Sequence, residues 1–389
     1  MWPRKSIDIS FVRLTKALGS CVFVKDEKKE RANLESYWGD NALACLSVRS
    51  GFDSLLTALN FDPGSEIIMS DFTIPDMLKI VDEHDLVARG ARLENVFPTV
   101  ESLSELINEN TKAVLVAHLF GELHELNEIA DLCKSHDLLL IEDCAQAYRG
   151  NGFKGSGGAD VSMFSFGPIK TNTSLAGAML NFAQPELSSK VRLVQESFPI
   201  QQNRVYLKRV IKYLLLKFLS IPFVYGLFVK LLKLLKFDYD KIIANSVKGF
   251  PGSDFFKKIR FRPSSALLRT LLDGLESFSQ KNSNKKIELS KAFIQKSNFI
   301  PINSHMSSKY WVFPIEVSDS ESLASYLQSM SIDATTISGL VSVSGVPTYN
   351  SYVLNNLVFL PFNAKMSITE ICKIADYCNE FALERSTNA

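Results

Sequence analysis

Two stretches decide the reading of this chain: Leu138-Leu139-Leu140-Ile141-Glu142-Asp143 and Val161-Ser162-Met163-Phe164-Ser165-Phe166-Gly167-Pro168-Ile169-Lys170. Each is a short apolar run that ends on polar or turn residues. Runs of this length bounded by turn signals predict strands, and near-continuous apolarity predicts burial on both faces, as in parallel sheets covered by helices. Outward from them the alternation continues. Ser65–Met69 and Lys112–Ala117 are predicted strands, and Asp53–Asn60, Asp76–His84 and Leu123–Lys134 are predicted helices. From about Ala42 to Phe182 the expected fold class is therefore α/β, a mostly parallel mixed sheet flanked by helices. Ligands of such sheets gather at the carboxyl ends of the strands, where Ser50-Gly51, Asp143 and Lys170 all fall.

From about Arg262 onward the pattern changes. Helices at Ser264–Phe278, Glu321–Met330 and Thr369–Leu383 are mixed with strands at Tyr310–Val317 and Asn356–Leu360. This predicts a smaller α+β unit. The expected division is 1–204 for a large domain, 205–250 for an insert, and 251–389 for the small C-terminal domain.

The chain has 389 residues and a net charge of +1, so no global charge draws it to nucleic acid. A chain of this length buries a full core without disulfides. Its six cysteines are scattered, without CxxC spacing, and are expected to be reduced, mostly buried thiols of a cytoplasmic protein. No apolar core follows Met1-Trp2-Pro3-Arg4-Lys5, so no signal peptide is expected.

The insert is unlike the rest. Val205–Phe237 carries seven basic residues (Lys208, Arg209, Lys212, Lys217, Lys230, Lys233 and Lys236) and no acidic one. Its longest uncharged run, Phe218–Val229, is 12 residues, whereas crossing a bilayer takes about 20. Ser220-Ile221-Pro222 predicts two amphipathic helices meeting at a bend. They either pack on the protein surface or lie on an anionic bilayer, where such a composition is favoured. A docked enzyme is expected to take a lipid-linked or long-chain carbonyl substrate, peripheral at the inner face of the membrane.

The polar residues at the strand ends match the demands of one cofactor. Pyridoxal 5′-phosphate (PLP) needs a lysine for its aldehyde, a carboxylate at its ring nitrogen, and N–H groups at a helix start for its phosphate. Lys170, Asp143 and the Ser50-Gly51 pair are candidates for these roles. Gln146, three residues beyond Asp143, is within reach of the ring oxygen, and Ser165 ends its strand. Taken singly, each has a plain reading: a turn carboxylate, a solvated lysine, an N-cap. His118 and Glu142 read as structural, hydrogen-bonded neighbours.

The segments Ser50-Gly51-Phe52-Asp53, Ile141-Glu142-Asp143-Cys144-Ala145-Gln146-Ala147 and Phe164-Ser165-Phe166-Gly167-Pro168-Ile169-Lys170 resemble the signatures of DegT/StrS-type sugar aminotransferases. So do Ala117-His118-Leu119-Phe120-Gly121, Arg262–Leu275 and Phe359-Leu360-Pro361. The resemblance implies a fold type I PLP enzyme, a homodimer with a shared active site. Its Lys170 forms the Schiff base and then moves protons. Asp143 holds the ring nitrogen, Gln146 contacts the ring oxygen, and Ser165 with the Gly51-Phe52 backbone binds phosphate. The implied reaction is transfer of an amino group from a donor such as glutamate to a keto sugar or another carbonyl acceptor. Several positions depart from the family pattern. Phe52 replaces a threonine, Ile74 replaces the aromatic residue that stacks on the ring, and Thr171 replaces an asparagine. Arg260 stands where an asparagine reaches the partner subunit's phosphate. A pocket histidine near Ser338–Val346 has no counterpart. The rival readings are a non-catalytic, membrane-associated descendant and a sugar dehydratase, the latter disfavoured because that branch has histidine where Lys170 stands.

Overall fold

The computed structural model describes residues 1–389 except 6, 151, 247–248, 251, 303–308, 338, 344–352 and 387–389. Its strands are β1 Ala42–Cys45, β2 Glu66–Ser70, β3 Phe72–Thr73, β4 Val87–Ala91, β5 Leu93–Glu94, β6 Phe97–Pro98, β7 Thr111–Ala117, β8 Leu139–Asp143, β9 Val161–Ser165, β10 Ala178–Phe182, β11 Phe313–Glu316, β12 Val341–Ser342 and β13 Leu357–Leu360. Seven form the central sheet, in the order β1-β10-β9-β8-β7-β2-β4. Strands β9, β8, β7, β2 and β4 are mutually parallel, and β10 is antiparallel to both its neighbours. Two reversals restore the direction of β1, so the carboxyl ends of β1, β8 and β9 lie on one edge. The α/β reading holds; the predicted strands of the sheet fall within a residue or two of their positions, and the one expected at Tyr310–Val317 is the shorter Phe313–Glu316.

Burial explains why these runs are strands. Strands β1 and β2 are buried at every position. Ile67, Met69, Leu115, Ile141, Met163 and Leu180 lie in one cluster with Phe52, Leu55 and Leu56 of the helix Val48–Leu59. The opposite face packs Ile68, Val114, Val116 and Leu140 against Ile129 and Cys133 of Asn127–Ser135. Five of the six cysteines are buried, and all are free.

The helix Ser265–Glu276 packs on the sheet body. Its Leu268, Leu271 and Leu275 meet Trp38, Phe164 and Phe166. The C-terminal core gathers instead around Phe293, Phe313, Ile315, Leu360 and Ile374. The boundary expected at 251 thus precedes a helix that the sheet body holds.

In the insert, Asn203–Leu219 and Pro222–Leu234 meet at 91°, with Pro222 opening the second helix, where its missing N–H costs nothing. Tyr206, Val210 and Tyr213 recur at helical spacing and pack against Leu14, Ala17 and Leu267. Tyr206 donates a hydrogen bond to the Ser174 carbonyl at 2.8 Å, which ties the insert to the loop that carries Lys170. A buried knot anchors the second half: Tyr225 and Arg4 both bind Asp333, and Arg4 also meets Asp240. The outer face stays apolar and exposed, with Phe223 at 83%, Leu234 at 78% and Leu227 at 62%. Among the described residues, no single helix is long and apolar enough to cross a membrane.

Candidate active site

Lys170 lies five residues past the end of β9, on a turn closed by its own N–H to the Gly167 carbonyl at 3.0 Å. Thr173 Oγ1 donates to the carbonyls of Phe166 and Gly167, which fixes the turn. Lys170 Nζ sits 4.0 Å from the centre of the Trp311 ring. Burial pushes its ammonium down from 10.5 to about 7, against the pull of Asp143 and with help from Arg49 and Lys5. Close to neutrality a large share of this lysine is a free, nucleophilic amine.

Asp143 ends β8, the parallel neighbour of β9. Burial raises its carboxyl, while the N–H of Ala145, at 2.8 Å, and the charges of Lys170, His118 and Arg49 lower it. Gln146 accepts a hydrogen bond from the Phe120 N–H at 2.8 Å through Oε1 and lines the chamber that holds Lys170. Ser165 Oγ accepts from the Gly167 N–H at 3.4 Å. The structure therefore brings Asp143, Gln146, Ser165 and Lys170 to one edge of the sheet.

The expected phosphate cradle needs correction. The helix that follows β1 starts at Val48, and Ser47 is its N-cap, accepting from the Ser50 N–H at 3.1 Å. Ser50, Gly51 and Phe52 lie inside the first turns rather than ahead of them. The Gly51 N–H is already bound to the Ser47 carbonyl, and Phe52 is fully buried in the core. Gly51 serves packing: a Cβ there would stand 2.6 Å from Leu180 Cδ1. The N–H groups without intrahelical partners belong to Val48 and Arg49. Arg49 brings a guanidinium as well, held by Asp76 at 2.7 Å. Apolar residues at Val48, Phe52, Leu55 and Leu59 follow helical spacing and were the sequence signal for the earlier start.

Two other expected residues have partners within the chain. Arg260 binds Asp53 through two nitrogens, at 2.9 and 3.0 Å, and Glu83 at 3.1 Å. Its expected contact is across to the partner subunit's phosphate. Ile74 caps the helix Pro75–Glu83 and packs against the sheet core. Phe72 is buried under Leu119, Phe120 and Phe359 and cannot replace the stacking ring. The stretch Ser338–Val346 lies partly outside the described residues.

Trp311 was not foreseen. Its N–H donates to the Phe120 carbonyl at 2.7 Å and its Nε1 to the Ile169 carbonyl at 2.6 Å. Phe120 adopts a left-handed conformation, φ 58°, and Gly121 follows at φ 98°. A Cβ on Gly121 would lie 2.6 Å from the Trp311 nitrogen, so only glycine admits this contact. His118 and Glu142 are structural, as expected. Their side chains meet at 2.9 Å, and Glu142 also accepts from Ser162 Oγ and the Ser156 N–H. With Cys144 they form a compact His/Glu/Cys cluster, but these hydrogen bonds already occupy it.

A chamber of about 820 Å³ opens over Lys170, lined by eleven Lys and Arg side chains against two carboxylates, Asp8 and Asp273. The donor set of a depressed amine, a buried carboxylate and a helix N-terminus with an arginine fits pyridoxal phosphate.

The fold is shared with solved aminotransferases. Helicobacter pylori PseC, an aminotransferase involved in the biosynthesis of pseudoaminic acid, superposes with a TM-score of 0.72 at 18% identity, over 97% of this chain and 98% of that one. The aminotransferase TlmJ of Streptoalloteichus hindustanus gives 0.70 at 15% identity, over 99% and 100%. In sequence, residues 24–212 match the model of the DegT/DnrJ/EryC1/StrS aminotransferase family. GDP-perosamine synthase of Vibrio cholerae is 36% identical over 129 residues, 32% of this chain and 35% of that protein. The chain spans about a third to a half of the length of the first curated relatives it matches.

Proposed function

We propose that the chain is a PLP-dependent aminotransferase that moves an amino group from a donor such as glutamate to the carbonyl of a keto sugar. The observation that carries this reading is Lys170, an amine lowered to about 7 beside the buried Asp143 at adjacent strand ends. When bound, PLP supplies an aldehyde and an electron-withdrawing ring. Lys170 Nζ would hold it covalently and, as the free amine, would accept and return a proton. Asp143 would keep the ring nitrogen protonated. Gln146 would meet the ring oxygen. Ser165 Oγ and the first-turn N–H groups of Val48 and Arg49 take the phosphate. Trp311 fixes the height of the lysine.

The test is Lys170→Ala. The purified chain with PLP is expected to show the visible absorbance of lysine-held cofactor and to lose it in the variant. Retention of that band in the variant overturns the reading.

The reading extends to two partners. Two copies forming a homodimer follow from the family resemblance, and a monomer by sedimentation would refute this. The outer face of the insert is proposed to lie on an anionic bilayer at the cytoplasmic side. Exposed Lys208, Lys212, Lys230, Lys233 and Lys236 flank its apolar residues, each adding roughly 1 kcal/mol near such a surface. Flotation with phosphatidylserine vesicles checks this, and an intact chain left at the bottom of the gradient rejects it.

A further inference from the structure

The chamber over Lys170 has a neighbour of opposite character. A second cavity of about 200 Å³ is walled mostly by apolar residues of the insert, among them Leu216, Leu219, Phe228, Ile242 and Ile243. Pro3, Lys5, Ile7, Ile169 and Ser220 line both spaces, so the cavities share a wall. Ile169 is the residue before Lys170. The apolar cavity thus begins one residue from the nucleophile and runs under the helices whose outer face is apolar.

The chamber is poor in negative charge, with Asp8 and Asp273 set against eleven Lys and Arg side chains. Lys217 Nζ donates to the Ile7 carbonyl at 2.6 Å, and Lys286 Nζ to the carbonyls of Tyr310 and Trp311 at 3.2 and 3.4 Å. These cations rest on neutral oxygens rather than carboxylates. Burial lowers the ammonium groups of Lys5, Lys217 and Lys286 alike, which is the signature of cations short of counter-charge. An anion entering the chamber would relieve all of them together. A soluble nucleotide sugar would satisfy the lysines but would leave the apolar cavity unfilled. A dry apolar cavity accepts apolar ligands.

We propose that the amino-group acceptor is a phosphate-bearing sugar carried on an alkyl chain, with its phosphate among the chamber lysines beside Lys5 and the first part of its hydrocarbon in the cavity formed by Leu216, Leu219, Phe228, Ile242 and Ile243. This rests on the reading of the chamber as a transaminase site. It names a class, alkyl-phosphate-linked sugars, and gives the insert a role inside the protein as well as outside it. The cavity walls come from both halves of the bent insert and from the helix Tyr239–Ser246, so the tail site exists because the insert does.

The experiment is calorimetric titration of the PLP-loaded chain with three probes: farnesyl diphosphate below its micelle concentration, inorganic pyrophosphate and UDP. Farnesyl diphosphate is expected to bind on the order of 30-fold more tightly than either of the others, the gain from burying a few methylene groups. Leu216→Asn with Phe228→Ser is expected to remove that advantage to within about threefold while leaving pyrophosphate binding and the cofactor band unchanged. Ile243→Ser is the second variant, expected to lose part of the advantage with folding intact. Equal affinities in the unaltered chain, or UDP binding most tightly, overturn the proposal whatever the variants do. The cofactor band reports separately. Its absence in the unaltered chain refutes the transaminase reading, whereas its presence without a farnesyl advantage refutes only the tail site.

Discussion

The sheet and the bent insert use apolar residues in opposite ways. In the sheet, Ile67, Leu115, Ile141 and Leu180 are completely or almost completely removed from water. In the insert, one stripe of Tyr206, Val210 and Tyr213 is buried, while Phe223, Leu227 and Leu234 stand out in solvent. Both regions are rich in leucine and phenylalanine, so composition does not separate them. What separates them is whether a second layer covers the face. The sheet positions chemistry by being closed on both sides. The insert offers an apolar face that the protein's own packing leaves unused.

The largest effect should come from placing a charge in each region. Leu180→Asp buries an unpaired carboxylate and is expected to cost about 4 kcal/mol, read as a collapse of the melting transition. Leu234→Asp, the same kind of change on the insert, is expected to shift stability by less than about 0.5 kcal/mol and to weaken vesicle binding instead. Equal losses of stability would break the comparison. Next in size is Gly121→Ala, where the new methyl meets the Trp311 backbone. About 2 kcal/mol of destabilisation is expected by denaturant titration. Arg49→Ala should weaken PLP binding about tenfold, measured by equilibrium dialysis, with Phe52→Thr giving no compensating gain.

A pH series sharpens the same contrast. Only the deprotonated amine captures an aldehyde. With the Lys170 ammonium lowered to about 7, the rate of PLP capture should rise about tenfold from pH 6 to pH 8 and then level off. A rate still climbing toward the ordinary lysine value would show that the amine is not held as described.

What could be read in the sequence follows from how local each cause is. Asp143, Gln146, Ser165 and Lys170 were legible because a buried strand and its end are encoded within about ten residues. The insert's bend was legible for the same reason, in Ser220-Ile221-Pro222. The cradle was misplaced by three residues because Ser47 and Ser50 both suit an N-cap. The longer apolar spacing from Val48 decides between them. The edge strand β4 went unnoticed because Val87, Arg89 and Gly90 at a half-exposed edge give no buried run. Trp311 and the pinning of Arg260 could not be found locally. Trp311 meets Ile169 across 142 positions, and Arg260 meets Asp53 across 207. Such pairs exist only once the chain is folded.

The seat of Trp311 has one more consequence. The indole belongs to the C-terminal half, yet it hydrogen-bonds to both loops of the sheet edge and lies under the lysine ammonium. A parting of the two halves that withdrew the ring and admitted water would move the Lys170 ammonium back up toward its ordinary value. The chain has three tryptophans; Trp38 is buried against Tyr148, Phe164 and Phe166, and Trp2 lines the same chamber as Lys170. Emission from Trp311 in a Trp2→Phe, Trp38→Phe background would therefore act as an optical gauge of how far the enzyme is open, and whether its nucleophile is armed.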